Sequence, residues 1–244
     1  MQISNDHILT THVGSLPRPP DLFELLTEQD RGQLKDPDLL ETRVSQAVND
    51  VVAEQVNSGI DIVSDGEMGK IAYTFYVKHR LSGIQEGKPP GAEVPKAVAN
   101  LDMLEHPIFA ERARQARKGW ALEYGRPWVV GPVTYQNVEP IERDIAHFKD
   151  AVSKSKPTEG FMNAASPGVL SKFVPNDYYP NEGAYIEAVA DAMKSEYEAI
   201  YNAGFLLQID CPDLGSARHN QYQNLSDDEF LCIANRNMEA VNAA

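Results

Sequence analysis

The sequence is poor in cysteine, in basic residues and in long apolar runs. Only two cysteines, Cys211 and Cys232, occur among 244 residues, which excludes a disulfide framework and favours a reducing, cytoplasmic setting. Lys and Arg total 22 against 36 Asp and Glu, a formal net charge of −14. That excess of acid disfavours nucleic acid and anionic membranes as partners. No apolar run is long enough to span a bilayer, and the N-terminal residues do not have the pattern of a secretory signal.

Paired metal-ligand spacings are also missing. The two cysteines do not form a Cys-x-x-Cys pair, and the histidines include no His-Glu-x-x-His pattern. We therefore predict no metal ligands in this chain and expect both cysteines to be buried structural thiols. His12 is the only histidine beside the candidate site described below. A lone histidine is more often a hydrogen-bonded structural residue than a ligand.

One local pattern occurs twice, far apart in the chain. A helix is expected to end near Gly59 and again near Gly204, an apolar strand follows each glycine, and Asp65 and Asp210 end the two strands. The spacing from glycine to aspartate is the same in both copies (65 − 59 = 210 − 204 = 6). Glycine accepts the left-handed conformation at a helix end. Acids at the ends of buried parallel strands lie where α/β folds place their chemistry, so the repeat predicts an enzyme in which the two acids converge.

Strands and helices alternate along the sequence. Strands are expected at 9–13, 60–64 and 205–209, with helices over 37–58, 140–155 and 181–200 and from Ser226 onward. A third strand that ends in a Gly-Pro turn is expected within 126–134, and a fourth strand with its turn within 160–168. This order predicts a parallel α/β sheet with right-handed crossovers. A closed (β/α)₈ TIM barrel of this kind typically needs about 250 residues and eight strand–helix units. We count about five units in a single partial domain over 1–244, with a long excursion at 83–120 that is helical near 108–118. Either three strands lie within segments interpreted as loops, or the chain stops before the barrel closes.

Asp65 and Glu67 flank Gly66 directly after the second expected strand. Two acids this close raise each other's pKa and require a neighbouring cation or proton. The ammonium group of a substrate would supply the cation. The alternative is an ordinary salt bridge to Lys70 or Lys78.

Three other places carry weaker signals. Gly14 and Ser15 follow the first expected strand, where a hydroxyl and exposed backbone N–H groups can hold a carboxylate, although the segment also fits a plain proline-rich turn. Asp210 either binds a cation or caps the next turn, and its place in the repeat favours binding. Trp128 and Tyr135 form either a stacking platform or part of the core.

Taken together, four motifs resemble the catalytic domain of cobalamin-independent methionine synthase and its shorter relatives. They run in the family's order and cover most of the chain: residues 10–19 (TTHVGSLPRP), 65–67 (DGE), 131–134 (GPVT), and 208–210 (QID) with Pro212 and Leu214. The resemblance implies a (β/α)₈ barrel and a reaction in which zinc activates a thiol as its thiolate. In methionine synthase that thiol is homocysteine, and the methyl donor is a methylated folate.

The resemblance also assigns roles to residues. Ser15 and the backbone near Gly14 would hold the carboxylate of the amino acid, and Glu67 and Asp210 would hold its ammonium. The family's zinc ligands, a His-x-Cys pair, a Glu and a final Cys, lie on later strands, so the metal-activated chemistry is expected beyond Ala244. Cys211 stands where the long enzymes usually have Glu, and Asp65 where they often have His. A donor other than folate is therefore an open alternative.

Two other functions compete with methionine synthesis. An alkyltransferase of the epoxyalkane:coenzyme M type would act on a thiol that carries a sulfonate and no ammonium. Such a substrate suits a basic pocket, and only Arg18 and Lys70 are near the acids. The other alternative is a non-catalytic module that binds a small molecule or pairs with a second polypeptide, since open sheet edges favour association.

Overall fold

The computed structural model describes residues 1–92, 100–116 and 127–244. They form two compact units, the first made of Met1–Arg80, Gln136–Ala164 and Lys194–Ile209 and the second of Leu81–Tyr135, Ala165–Met193 and Asp210–Ala244. The described α-helices are α1 Pro20–Asp30, α2 Pro37–Asn57, α3 Leu101–Glu105, α4 Pro107–Ala116, α5 Glu139–Ser155, α6 Pro167–Phe173, α7 Glu182–Asn202 and α8 Asp227–Ala243. The strands are β1 Ile62–Ser64, β2 Ile84–Glu86, β3 Pro127–Val129, β4 Glu159–Ala165 and β5 Leu206–Asp210. The prediction of one domain over 1–244 stays a prediction.

The long helices begin and end where their capping residues predict. The Asp36 side chain accepts a hydrogen bond from the Leu39 backbone at the start of α2, and Asn181 does the same for Ala184 at the start of α7. Ser226 and Glu229 form a reciprocal capping box on α8. The predicted glycine stops are confirmed, since Gly59 and Gly204 have φ of +81° and +89° just beyond α2 and α7.

The first unit contains most of a three-stranded sheet in the order β1-β4-β5. Strands β1 and β4 run parallel, with Ile62 opposite Glu159 and Ser64 opposite Phe161, as the alternation of strands and helices predicts. The expected first strand at 9–13 is not a regular strand. It makes one isolated parallel bridge, from Thr11 to Ile62, because the Gly and Pro residues that follow interrupt the pairing.

The expected third strand differs more from the prediction. Only Pro127–Val129 is regular, and it pairs antiparallel with Ile84–Glu86, whereas the sequence predicted a parallel neighbour. Gly83 allows the two segments to approach closely, since a Cβ there would lie 2.5 Å from the carbonyl oxygens of Gly131 and Pro132. Within the described ranges the sheets have three and two strands, so the closed barrel stays a prediction.

The predicted excursion at 83–120 contains β2, α3 and α4. The helix expected near 108–118 is confirmed as Pro107–Ala116. Positions 117–118 and the start of the third expected strand at 126 lie outside the described residues. None of the helices in the described ranges is long and apolar enough to cross a membrane.

The prediction of two buried thiols is wrong for Cys232. Both cysteines are free, Cys211 is half-buried and Cys232 is exposed. Helix α8 buries the face that carries Phe230, Asn237 and Ala240, and residue 232 falls on the other side of the helix.

Candidate functional site

Strand β1 ends in a tight turn that carries both predicted acids. The Met68 N–H donates to the Asp65 carbonyl at 3.4 Å, and the central residues Gly66 and Glu67 have φ of +62° and +56°. Positive φ at both central positions is the signature of a type I′ turn. Glycine adopts this conformation without strain, but glutamate does not. The strain at Glu67 is a common feature of residues held in place for a function.

The predicted loop at Gly14 and Ser15 meets this turn. Ser15 Oγ donates a hydrogen bond to Glu67 Oε2 at 2.5 Å, and the Leu16 N–H donates to the Gly66 carbonyl at 3.0 Å. Gly14 has φ +73°, and a Cβ there would lie 4.0 Å from Glu67 Oε1. The structure therefore brings together three of the predicted site residues, Gly14, Ser15 and Glu67.

The Glu67 carboxylate is buried and only half satisfied. Its side chain is 1% exposed, and Ser15 bonds one of its two oxygens. The other oxygen, Oε1, is buried and has no hydrogen-bond partner among the described residues. A buried carboxylate oxygen without a donor is costly, so this geometry favours a ligand that brings an N–H or O–H group.

Asp65 is also buried, and it supports the turn. Its Oδ1 accepts a hydrogen bond from the Glu67 N–H at 3.0 Å. Burial raises the pKa of Asp65, the positive charge of Lys70 lowers it and the negative charge of Asp144 raises it, and the net result is a raised pKa. Asp65 therefore helps to hold Glu67 in the turn by accepting a hydrogen bond from its backbone N–H.

Two cations lie near the pair of acids, and each donates a hydrogen bond to a backbone carbonyl. Arg18 Nη2 donates to the Glu67 backbone carbonyl at 2.8 Å. Burial lowers the pKa of Arg18, although the charges of Glu67 and Asp65 oppose that shift. Lys70 Nζ donates to the Asn163 carbonyl at 2.7 Å and lies 4.5 Å from the centre of the Tyr76 ring.

The sequence analysis offered Lys70 or Lys78 as salt-bridge partners of the acids. Lys78 pairs with Asp30 at 2.8 Å. Lys70 acts on Asp65 through its charge while its ammonium is bonded to a backbone carbonyl.

A buried ionic network that the sequence analysis missed supports the segment after the turn. Arg80 bonds Asp144 at 2.5 Å and Glu196 at 2.9 Å, and the Tyr76 hydroxyl donates to Glu196 at 2.7 Å. Burial alone would raise the pKa of Glu196, but the charges of Arg80 and Lys70 and the Tyr76 hydroxyl lower it. No local motif marks these residues, because their partners are 64 to 120 positions away in sequence.

His12 has a structural arrangement, as expected for a lone histidine. Its Nε2 bonds Gln55 Oε1 at 2.7 Å. The Gln55 side chain in turn donates to the Ser64 carbonyl at 2.8 Å and accepts from the Ser64 N–H at 3.0 Å. His12 thus ties the segment before Gly14 to α2 and to the end of β1.

Asp210 is the predicted site residue that belongs to the second unit. It ends β5 and is half-buried. Its backbone carbonyl accepts a hydrogen bond from the Ser166 N–H at 3.1 Å. Its role as an ammonium ligand stays a prediction.

A second buried polar group, also missed from sequence, surrounds Ser166. The Ser166 hydroxyl donates to Asp213 Oδ1 at 2.9 Å and caps α6 by accepting from the Val169 N–H at 3.1 Å. Asn237 Nδ2 donates to Asp213 Oδ2 at 2.9 Å. The Ser-Pro pair after an apolar strand is the usual signal for such a cap and could have revealed it.

The 131–134 motif is held by hydrogen bonds within the second unit. The Val133 N–H donates to the Tyr179 hydroxyl at 2.8 Å, and the Thr134 N–H donates to Ser82 Oγ at 2.9 Å. Trp128 is buried, which favours the core role over the stacking platform.

Comparisons with known proteins agree with the family resemblance. The family described as "Cobalamin-independent synthase, Catalytic domain" matches residues 8–88, which include the loop at Ser15 and the turn at Glu67. A methionine synthase of Sulfolobus acidocaldarius is 25% identical over 213 residues, 86% of this chain and 53% of that protein. One of Thermococcus kodakarensis is 27% identical over 203 residues, 76% of this chain and 58% of that protein.

This chain is similar to the cobalamin-independent methionine synthases. Its fold is similar to that of a B12-independent methionine synthase from Shewanella sp. W3-18-1, solved in complex with selenomethionine, with a TM-score of 0.65 and 22% identity over 95% of this chain and 57% of that chain. The α/β fold class and the family resemblance predicted from sequence are confirmed. The chain spans about half the length of the methionine synthases that it matches.

Proposed function

We propose that this chain carries the part of a methionine synthase site that binds the amino-acid end of homocysteine. The reaction is transfer of a methyl group from a methylated folate to the homocysteine thiol. The observation that carries the proposal is the buried Glu67 oxygen that has no donor within the described residues. The related proteins, which are named methionine synthases, support the same assignment.

Glu67 receives the substrate ammonium in this proposal. An ammonium donates to Oε1 while Ser15 holds Oε2, so the carboxylate is fixed before the substrate arrives. Preorganisation of this kind avoids the cost of ordering the side chain on binding. The backbone N–H groups near Gly14 and Ser15 meet the substrate carboxylate, because the single hydroxyl proton of Ser15 is donated to Glu67. Asp65 and His12 hold the turn and the loop in register.

Asp210 is proposed as a second ammonium ligand on the strength of the sequence repeat. The same proposal includes the barrel fold, with the chain forming about the first five βα units of a (β/α)₈ barrel. Likeness to the Shewanella enzyme over 95% of this chain supports that assignment.

Zinc is part of the family chemistry that the proposal adopts. When bound, it would supply a thiolate at neutral pH. The described residues do not fit the ion, because no group of three His, Cys, Asp or Glu side chains within 1–92, 100–116 and 127–244 could hold it. The residues of this chain are therefore assigned to binding and orienting the substrate.

The acids argue against coenzyme M as the thiol. A sulfonate needs cations. Lys70 is bonded to the Asn163 carbonyl, and Arg18 donates Nη2 to the Glu67 carbonyl while its buried Nε has no hydrogen-bond partner among the described residues. A sulfonate beside the buried Glu67 carboxylate would be repelled.

Calorimetric titration with three thiols tests the proposal. The thiols are homocysteine, 4-mercaptobutyrate, which lacks the amino group, and coenzyme M. We expect the chain to prefer homocysteine over 4-mercaptobutyrate by about tenfold or more, as for a charge-assisted hydrogen bond. Glu67→Gln should abolish that preference, and Glu54→Gln, an exposed glutamate of α2, should retain it.

Two results would contradict the assignment. Equal affinities for the two carboxylate thiols would remove the ammonium role of Glu67, and tighter binding of coenzyme M would favour the other alkyltransferase. Asp210→Asn tests the second acid separately, and unchanged homocysteine affinity in that variant would remove Asp210 from the site.

A further inference from the structure

Arg18 is a half-buried cation whose hydrogen-bonding capacity is mostly unused. A guanidinium has five N–H donors. Among the described residues Arg18 makes one hydrogen bond, from Nη2 to the Glu67 carbonyl at 2.8 Å. Its Nε is buried without a partner in those ranges, and Nη1 has no partner there either but is open to solvent. A cation in this condition favours a ligand that brings oxygen acceptors.

The Arg18 guanidinium also lacks a contacting carboxylate. Glu67 and Asp65 attract it through their charges, but neither carboxylate forms an ion pair with it in the part of the chain that the structure describes. Ser15 donates to the Glu67 carboxylate, and the Glu67 N–H donates to Asp65. Burial lowers the pKa of Arg18 more than the two charges raise it, as expected for a half-buried cation without a bound anion.

Prolines on both sides restrict the loop that carries Arg18. Pro17 precedes it, and Pro19 and Pro20 follow, with Pro20 the first residue of α1. A proline ring fixes φ, and it keeps the residue before it out of the helical conformation. The cation is thus presented by a backbone of few conformations, which lowers the entropic cost of binding a ligand.

Arg18 and Glu67 together offer a ligand one positive and one negative group. Glu67 Oε1 is a buried acceptor without a donor, and Arg18 Nε is a buried donor without an acceptor, both within the described ranges. The hydrogen bond from Arg18 to the Glu67 carbonyl places the two groups at the same turn. An α-amino acid carries an ammonium and a carboxylate on one carbon atom, so it can satisfy both groups.

The proposed function leaves the substrate carboxylate without a cation. Backbone N–H groups near Gly14 and Ser15 are dipoles, whereas Glu67 and Asp65 are two buried acids close by. A carboxylate that approaches two acids needs a positive charge beside it. Arg18 is the cation that bonds this turn.

We infer that Arg18 binds the α-carboxylate of the substrate and makes that carboxylate a requirement for binding. The inference rests on the proposed function, in which Glu67 receives the substrate ammonium. The carboxylate accepts hydrogen bonds from the unused N–H groups of Arg18, while Nη2 stays bonded to the Glu67 carbonyl. Arg18 is thus the residue that selects a free amino acid over a thiol that carries only an amine.

Calorimetry with three ligands tests the role of Arg18. The ligands are homocysteine, 3-aminopropane-1-thiol, which lacks the carboxylate, and 4-mercaptobutyrate, which lacks the ammonium. Arg18→Gln should weaken binding of the two carboxylates about tenfold and should not weaken binding of 3-aminopropane-1-thiol. Glu67→Gln should give the opposite pattern and weaken the two ligands that carry an ammonium. Arg43→Gln is the matched control, since this arginine of α2 bonds Asp21 and Gln46, and it should leave all three affinities unchanged.

The same titrations separate this inference from the proposed function. Equal weakening of homocysteine and 3-aminopropane-1-thiol in Arg18→Gln would show that Arg18 only supports the turn, which overturns the inference and leaves the ammonium role of Glu67 intact. Equal affinities of the unaltered protein for homocysteine and 4-mercaptobutyrate would instead remove that ammonium role. If Arg18→Gln weakens binding of a methylated folate and not of homocysteine, Arg18 serves the carboxylates of the donor and the inference is wrong.

A measurement on the unaltered protein covers the case in which Arg18→Gln does not fold, which far-ultraviolet circular dichroism verifies. The buried Nε–H of Arg18 should shift in a nitrogen–proton NMR spectrum when homocysteine or 4-mercaptobutyrate binds. It should not shift with 3-aminopropane-1-thiol. A signal that responds equally to all three ligands would overturn the inference.

Discussion

Ser15 holds one oxygen of the buried Glu67 carboxylate across 52 positions of sequence. The bond joins a proline-rich loop to a strained turn, and it leaves the second oxygen without a partner in the described residues. One oxygen of the Glu67 carboxylate is therefore held in place, and the other is available to bind a ligand.

The Ser15 hydroxyl is expected to matter for binding. Ser15→Ala should weaken homocysteine binding about tenfold, the usual loss for one hydrogen bond to a charged group. Ser15→Thr keeps the hydroxyl and should retain most of the affinity. Calorimetry on both variants measures the effect, and an unchanged dissociation constant for Ser15→Ala would show that Glu67 is held by other contacts.

Replacement of Gly66 is expected to destabilise the protein for steric as well as conformational reasons. A Cβ at Gly66 would lie 3.1 Å from Met68 Cε and 3.3 Å from Leu16 Cβ. Gly32 has a similar positive φ of +66° with nothing within 4 Å. Gly32→Ala should therefore cost about 1 kcal/mol of unfolding free energy from strain alone, and Gly66→Ala about 2–3 kcal/mol.

Urea unfolding of the two glycine variants measures that difference. Equal destabilisation would mean that the neighbours of Gly66 move aside without cost.

Ser166 is expected to stabilise the protein more than an ordinary helix cap does. Ser166→Ala removes the cap of α6 and also a donor to the buried Asp213, so it should cost about 2–4 kcal/mol. Ser226→Ala is the matched control at the exposed cap of α8 and should cost about 1 kcal/mol. If chemical denaturation gives the same cost for both, the bond to Asp213 contributes nothing.

Asp61 is expected to make stability depend on acidic pH. The Thr10 N–H at 2.7 Å, His7 Nε2 at 3.0 Å and the Thr10 hydroxyl at 2.9 Å lower the pKa of Asp61 to about 2. A carboxyl whose folded pKa is lowered stabilises the protein above its unfolded pKa, and that contribution is lost as the pH falls toward the folded value.

The urea midpoints of the unaltered protein and Asp61→Asn should therefore differ above about pH 4 and converge near pH 2. A carbon-13 titration of the Asp61 carboxyl gives the pKa directly. A value near 4 would show that these hydrogen bonds do not persist in solution.

Much of the secondary structure could be predicted because its signals are local. Asp36, Asn181 and Ser226 cap helices by bonding backbone groups three residues away, and Gly59 and Gly204 end helices through their own φ. The predictions of a strand at 9–13 and of a parallel third strand were wrong, because strand pairing depends on segments that are distant in sequence. Cys232 was predicted to be buried, but it lies on the exposed side of α8. Helix periodicity identifies the buried face only where apolar and polar residues are clearly separated along the helix.

The sequence by itself determined the family resemblance, the order of the helices and main strands, and the residues Gly14, Ser15, Asp65 and Glu67 as candidates. Residue types and short-range spacings indicate these features, and both are present in the unfolded chain. Only the tertiary structure decided that Ser15 bonds Glu67, that Arg80 joins Asp144 to Glu196, and that His147 and Arg143 of α5 contact Glu41 of α2. The first two depend on charges buried together from distant segments, where the loss of water makes the choice of partner decisive. The third joins two helices that are distant in sequence.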